Sequence, residues 1–179
     1  METLTYVQTQ FAYNRWANHQ ALAVLATLAE ADLAAPCSGN GTVLQTMGHA
    51  LAVEEAYMQY LTGQLPASQA LARAGEGRSP GSVAELQAIW QASERLANPF
   101  MAQLTEAQLA QTAELSLPRG AATLALWQLL FQIINHGTHT RAQLCSAIRA
   151  LGKNPPRLDF MYFAFIGMPV VGIEGAEPV

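Results

Sequence analysis

The chain has 179 residues, a usual length for one domain and enough to bury a hydrophobic core without disulfide staples. Hydrophobic residues make up 51% of it, charged residues only 12%, and the net charge is −4. This acidic balance, without a basic run, gives no electrostatic support to a nucleic-acid partner. No uninterrupted stretch of about 18 apolar residues predicts a membrane helix.

The low charge content also bears on assembly and location. Charged residues usually form about a quarter of a soluble chain, so we expect part of the apolar surface to be shared with a second copy, giving a homodimer. The first residues, METLTYVQTQF, lack the features of a signal peptide. Cys37 and Cys145 form neither a disulfide framework nor a C-x-x-C motif, so we expect a cytoplasmic protein.

Four segments repeat apolar residues with the period of an α-helix, which predicts an all-α chain. They run roughly over residues 4–28, 42–61, 82–104 and 124–151. Ser82 and Glu85 have the spacing of a capping box at the start of the third segment, and Pro99 predicts a bend or an early end there. Gly152 ends the fourth segment.

The connections complete the predicted architecture. The stretch 63–81 is rich in Gly, Pro, Ser and Ala and predicts a long crossover or flexible loop. A turn at Pro118–Gly120 predicts a small hairpin before the last helix. The apolar C-terminal tail, 155–179, is expected to pack on the helices or on a partner subunit. We therefore predict a single domain over 1–179, a four-helix bundle with one long crossover loop.

Several polar residues lie on the inward faces of these helices. Residues three, four and seven apart share one helix face. In the fourth helix, His136 and Thr140 lie at one edge of the apolar side, whereas His139 lies on the polar flank. In the second helix, His49 shares an apolar stripe with Tyr60. The pattern predicts that two imidazoles from different helices meet in the interior.

The first helix adds two amides, because Asn14 and Asn18 lie in the same stripe as Val7 and Phe11. Burying an unpaired amide or imidazole costs on the order of 2 kcal/mol or more, so such groups should meet each other, a water or a metal. A single histidine on a helix face is more often structural than a ligand. The two asparagines fit hydrogen bonding between helices better than metal binding.

A metal site is one way to satisfy these groups. Neutral imidazole is the commonest metal ligand, and bundle cores hold metals with side chains from facing helices. Two ligands on one helix and one on another leave an open coordination position. A metal in such a site lowers the pKa of a bound water or thiol and acts as a Lewis acid.

Four motifs together resemble the DinB/YfiT-like superfamily. They are YNRWAN, MGHALAVEEAYMQYLTG, LWQLLFQIINHGTHTRAQL and LGKNPPRLDFMYF, and they span nearly the whole chain in the expected order. The resemblance implies a four-helix bundle that is commonly a homodimer. It also implies a nickel or zinc ion held by three histidines, one on the second helix and an H-x-x-x-H pair on the fourth. Related enzymes include thiol-dependent transferases and isomerases and metal hydrolases, and other members are damage-induced proteins without an established reaction.

Matched to these motifs, His49 and His136 take two of the three ligand positions. The third falls on residue 140, where this chain has threonine in HGTHTRAQ. A threonine hydroxyl is a poor ligand for nickel or zinc. Three interpretations stay open: the metal is lost or weakly bound, His139 replaces the missing ligand, or a water held by Thr140 completes the site.

Two functional hypotheses follow. The first is a metal-dependent transferase or hydrolase for a small, thiol-containing substrate, with Asn14, Asn18, Tyr60 and Thr140 lining the cleft. The second is a non-catalytic, dimeric stress-related or small-ligand-binding bundle whose metal site is degenerate.

Overall fold

Four helices of 19 residues or more form the body of the protein, as a computed structural model of the chain shows. The structure describes residues 3–38, 41–76, 79–117 and 120–166. In chain order its elements are α1 (Thr3–Leu25), α2 (Glu30–Leu33), α3 (Val43–Leu61), α4 (Ala67–Glu76), α5 (Val83–Gln103), α6 (Glu106–Leu109), β1 (Thr112–Leu117), β2 (Gly120–Ala125), α7 (Leu126–Ala150) and α8 (Phe160–Ile166). The all-α fold class is confirmed, with a minor two-stranded sheet.

The long helices pack as a ring in which α1 contacts α7, α7 contacts α3, α3 contacts α5, and α5 contacts α1. Two apolar clusters fill the ring. One joins Leu25, Leu51 and Leu86 to Ile148, and the other lies nearer the start of α1 and α7. On all four helices, buried polar residues occur between the positions that contribute to the two clusters. The bundle therefore has a polar layer between two apolar ones.

Local sequence signals fix the ends of these helices. The Ser82 hydroxyl accepts a hydrogen bond from the Glu85 amide, as predicted, although the Glu85 carboxylate accepts from the Gly81 amide instead of closing the capping box. Pro99 does not end α5, which continues to Gln103. Gly152 has a φ of 71°, a left-handed conformation that favours glycine and ends α7.

The prediction of a flexible loop at 63–81 was wrong, because this crossover contains α4. Ala70 and Ala74, four residues apart, are buried on one face of this helix. Their small side chains let α4 approach α3, where Ala74 packs with Val53 and Ala56. The glycines and prolines that suggested a loop lie mainly at the two ends of the segment, where they do not interrupt the helix.

The predicted hairpin is confirmed as an antiparallel pair, β1 and β2, with Thr112 opposite Ala125 and Leu117 opposite Gly120. Part of its predicted turn, residues 118–119, lies outside the described residues.

The apolar tail packs partly on the bundle. Its described portion forms α8, in which Phe163 is 4% exposed and lies beside Tyr13 and Trp16, each ring centroid 5.8 Å away. Residues 167–179 of the predicted tail lie outside the described residues.

Candidate functional site

Two histidines from neighbouring helices meet inside the bundle. Nε2 of His49, on α3, lies 3.1 Å from Nε2 of His136, on α7. The ring centroids are 4.9 Å apart and the ring planes are inclined by 67°. Both side chains are half-buried. The predicted convergence of these two imidazoles is confirmed.

Both rings are neutral at physiological pH. Burial, and then the proximity of His49, lowers the pKa of His136 to about 4. Burial also lowers the pKa of His49. One ring can therefore donate its Nε2–H to Nε2 of the other. A neutral ring that carries its proton on Nδ1 instead has an Nε2 lone pair that can bind a metal.

His136 has a second nitrogen with unmet hydrogen-bonding capacity. Its Nδ1 is buried and has no hydrogen-bond partner among the described residues. Metal-bound histidines almost always donate their other N–H to a carboxylate or a carbonyl oxygen. The pair thus supplies two of the expected ligands, but His136 lacks, among the described residues, the outer hydrogen bond that usually orients such a ring.

Residue 140, where the sequence resemblance predicts a third ligand, has a side chain that bonds to its own helix. Thr140 is 1% exposed, and its hydroxyl donates to the backbone carbonyl of His136 at 2.9 Å. This bond uses the only proton of the hydroxyl and leaves its oxygen lone pairs. A water held by Thr140 remains a prediction.

The structure does not bring His139 to the imidazole pair. Its side chain is exposed, and its Nε2 lies 3.1 Å from Nε2 of Gln143 on the outer side of α7. Among the residues that the structure describes, no group of three or more His, Cys, Asp or Glu side chains is placed to hold a metal ion. The interpretation that His139 replaces the missing ligand gains no support from this placement.

Asn14 and Asn18, the predicted cleft residues of α1, belong to the polar layer. Their amide nitrogens donate to Oε2 of Glu54 at 2.8 and 2.9 Å. Their carbonyl oxygens accept from Nη1 of Arg141 at 2.8 and 2.6 Å. Ser93 donates to the other carboxylate oxygen at 3.2 Å. The two amides thus bridge a buried anion and a buried cation, which bears out their interpretation as hydrogen-bonding groups between helices.

Charges in this layer are stabilised by one another. Burial raises the pKa of Glu54, and the hydrogen bonds from the asparagines and the charge of Arg141 oppose that rise. Asn14, Asn18 and Ser93 all donate to the Glu54 carboxylate, which suits an ionised acid, and an arginine keeps its proton in proteins. We therefore treat Glu54 and Arg141 as an ion pair joined by two amides.

The sequence analysis did not predict that Arg141 is buried or that Glu54 lies at the centre of the polar layer. The available signal was Gly137, four residues before Arg141 on the inward face of α7. A Cβ atom on Gly137 would lie 2.7 Å from Nη1 of Arg141 and 2.7 Å from Oδ1 of Asn14. Glycine is thus the residue that lets the arginine fold back against its own helix and reach α1.

Tyr60 was wrongly assigned to the cleft. It lies about 16 Å from His49 along the axis of α3. Its side chain lines a small apolar crevice with Tyr57, Ala70 and Leu115. The apolar stripe of α3 that holds both His49 and Tyr60 continues beneath α4 and the hairpin, and Tyr60 lies on this covered part.

The sequence was compared with models of known protein families. A model of the DinB family matches residues 1–169. The chain belongs to the DinB family. The comparison with curated proteins gave no significant match. In this DinB-family chain two imidazoles meet between α3 and α7, and threonine stands at residue 140, where the sequence resemblance predicts a third histidine.

Within the part of the chain that the structure describes, no helix has the length and hydropathy needed to cross a membrane.

Proposed function

We propose that His49 and His136 bind one divalent metal ion, nickel or zinc, and that this DinB-family protein is a transferase or hydrolase for a small, thiol-containing substrate. The observation that carries the proposal is the 3.1 Å approach of two neutral imidazole nitrogens. Two nitrogen ligands of one tetrahedral zinc ion lie about 3.3 Å apart, given Zn–N bonds of about 2.0–2.1 Å. The pair therefore fits two positions of such a site.

The remaining positions are open to solvent or substrate in this proposal. A bound metal would lower the pKa of a thiol or water beside it. His49 is half-buried, so the pair has one side accessible from outside the core. With two protein ligands instead of three, we expect the ion to bind weakly and to exchange.

A second candidate is a non-catalytic DinB-family bundle whose metal site is degenerate. It is favoured by the Thr140 hydroxyl, whose only proton is donated to the His136 carbonyl. The Nδ1 of His136, without a partner among the described residues, points the same way. In this case the two histidines would keep only their mutual hydrogen bond.

Restoring the third histidine distinguishes the two candidates. Protein carrying Thr140→His is compared with wild type for zinc and nickel content, both purified without an affinity tag that binds metal. The enzyme proposal expects measurable metal on wild type after dialysis against the ion and tighter retention by the variant. The degenerate bundle expects no retention by wild type but a gain in the variant. The proposed geometry is wrong if neither protein retains metal while both remain folded.

We also propose that the protein is a homodimer in which one apolar groove meets its copy. Tyr6, Trp127 and Phe131 are 45%, 44% and 53% exposed. They line one groove between α1 and α7 together with Val7 and Ile134, and its walls are almost wholly apolar. Contiguous exposed apolar surface of this kind usually marks an interface, and the low charge content of the chain agrees with it.

A further inference from the structure

A cavity among the described residues lies on the side of α7 away from the histidine pair. It has a volume of about 790 Å³ and is bordered by α7, Tyr13 of α1, the start of α8 and the segment 154–159. From α7 it is lined by Thr138, Arg141, Cys145 and Arg149, among others. These residues repeat every three to four positions and so share one face, which is roughly opposite to that of His136.

This cavity is rich in cationic groups. The whole chain has nine lysine and arginine residues, and Arg141, Arg149 and Arg157 all line this one space. Its acidic lining residue is Asp159. Because Glu54 offsets the charge of Arg141 through the asparagines, Arg149 and Arg157 leave an excess of positive charge over Asp159. A positive cavity in a chain of net charge −4 is not explained by the overall composition.

The arginines are prepared for a ligand in different ways. Cζ of Arg157 lies 5.5 Å from the ring centroid of Tyr162, and its Nη1 lies 3.4 Å from that hydroxyl. This stacking restricts the guanidinium before any ligand arrives. The Arg149 side chain is exposed, and its guanidinium forms no hydrogen bond or ion pair with another described residue, so its donors are available. The buried Arg141 forms the floor.

We propose that this cavity binds a small anion carrying a carboxylate or phosphate group, held between Arg149 and Arg157. The planar guanidinium presents paired N–H donors that match the oxygens of either group. The Asn154 side chain, which also lines the cavity, offers a further polar contact for the rest of the ligand. The inference does not depend on metal at the histidine pair, because the two sites use opposite faces of α7.

Calorimetric titration of the full-length protein with inorganic phosphate and, separately, with succinate at neutral pH and low salt tests the proposal. We expect stoichiometric binding of at least one probe, and which probe binds identifies the anion class. Arg149→Gln and Arg157→Gln should each weaken that binding by about tenfold. Arg95→Gln, which removes an exposed arginine of α5 outside the cavity, should leave it unchanged.

Thermal unfolding of the ligand-free variants verifies that they remain folded, since neither replaced side chain is buried. The proposal is overturned if neither probe binds to wild type. It is equally overturned if Arg95→Gln weakens binding as much as the cavity variants do, because the effect would then be one of overall charge.

Discussion

Arg141 and Glu54 carry opposite charges in the interior of the bundle, and the side chains of Asn14 and Asn18 bridge them by hydrogen bonds. Each amide donates to the carboxylate and accepts from the guanidinium. Four hydrogen bonds thus tie α1 to α3 and α7 at mid-height. This arrangement compensates two charges that would be very costly to bury alone.

Replacing Glu54 with glutamine should destabilise the protein, because it removes the negative charge that compensates Arg141. The variant keeps the shape of the side chain but leaves the Arg141 charge buried without its counter-ion, which costs about 3–5 kcal/mol of unfolding free energy. Urea denaturation measures the loss. In the double variant with Arg141→Met, the loss should be smaller than the sum of the single losses by about 1–3 kcal/mol. Additive losses would mean that the two charges do not interact.

Gly137→Ala tests whether the close approach of Arg141 requires glycine. Alanine is intrinsically better in a helix by about 1 kcal/mol, but its Cβ would meet Nη1 of Arg141 and Oδ1 of Asn14 at 2.7 Å. We expect a net destabilisation of about 1–3 kcal/mol from overpacking. Gly75→Ala in α4 is the matched control, since a Cβ there meets nothing within 4 Å. A stabilised Gly137→Ala protein would show that the polar layer can move aside.

The pH dependence of stability should report the buried imidazoles in metal-free protein. The pKa of His136 is about 4 when folded and about 6.5 in an unfolded chain, so between these values the unfolded state binds the extra proton. Stability is therefore complete above about pH 6.5 and falls as the pH is lowered towards 4. His49, whose pKa is also lowered, acts in the same direction.

His136→Asn should lose part of this dependence. Denaturation of wild type and variant at about pH 7 and about pH 5, with a chelator present, should show a fall smaller by about 1–2 kcal/mol in the variant, after allowance for solvent screening of a half-buried ring. Equal falls in both proteins would place the acid sensitivity elsewhere.

Phe131→Glu should dissociate the proposed homodimer, because it introduces a charge into the apolar groove formed with Tyr6 and Trp127. Light scattering after gel filtration would then give the monomer mass. Gln132→Glu adds the same charge to the next residue of α7, which does not line the groove, and should leave the dimer intact. A monomeric wild type, or dissociation by both variants, would contradict the proposed interface.

Helical periodicity was enough to predict the four long helices and the meeting of His49 and His136, but not the buried Arg141 and Glu54. It places His49 and His136 on inward faces because each lies in or beside an apolar stripe, and the structure brings those stripes together. Arg141 escaped detection because a charged residue in a helix is ordinarily assigned to solvent. Only its spacing from Gly137 shows that the interior has room for it. Glu54 is likewise buried because residues of α1, α5 and α7 compensate its charge, and the sequence around Glu54 does not reveal these distant partners.

The errors have similar causes. Helix α4 was missed because the Gly and Pro residues around it were taken to mark a loop, and its burial depends on small side chains that let it approach α3. Tyr60 was misassigned because that face of α3 is shared between the histidine site and the covering α4. The outward position of His139 was suggested by the helical wheel, which placed it on the polar flank.

Titration of tag-free, metal-free protein with zinc and nickel tests the central claim most directly, and isothermal calorimetry gives both stoichiometry and affinity. We predict one ion per chain, with binding lost in His49→Ala and in His136→Ala and unchanged in His139→Ala. No heat of binding in wild type, or equal binding by wild type and the His49→Ala and His136→Ala variants, would contradict the assignment of the imidazole pair as the metal site.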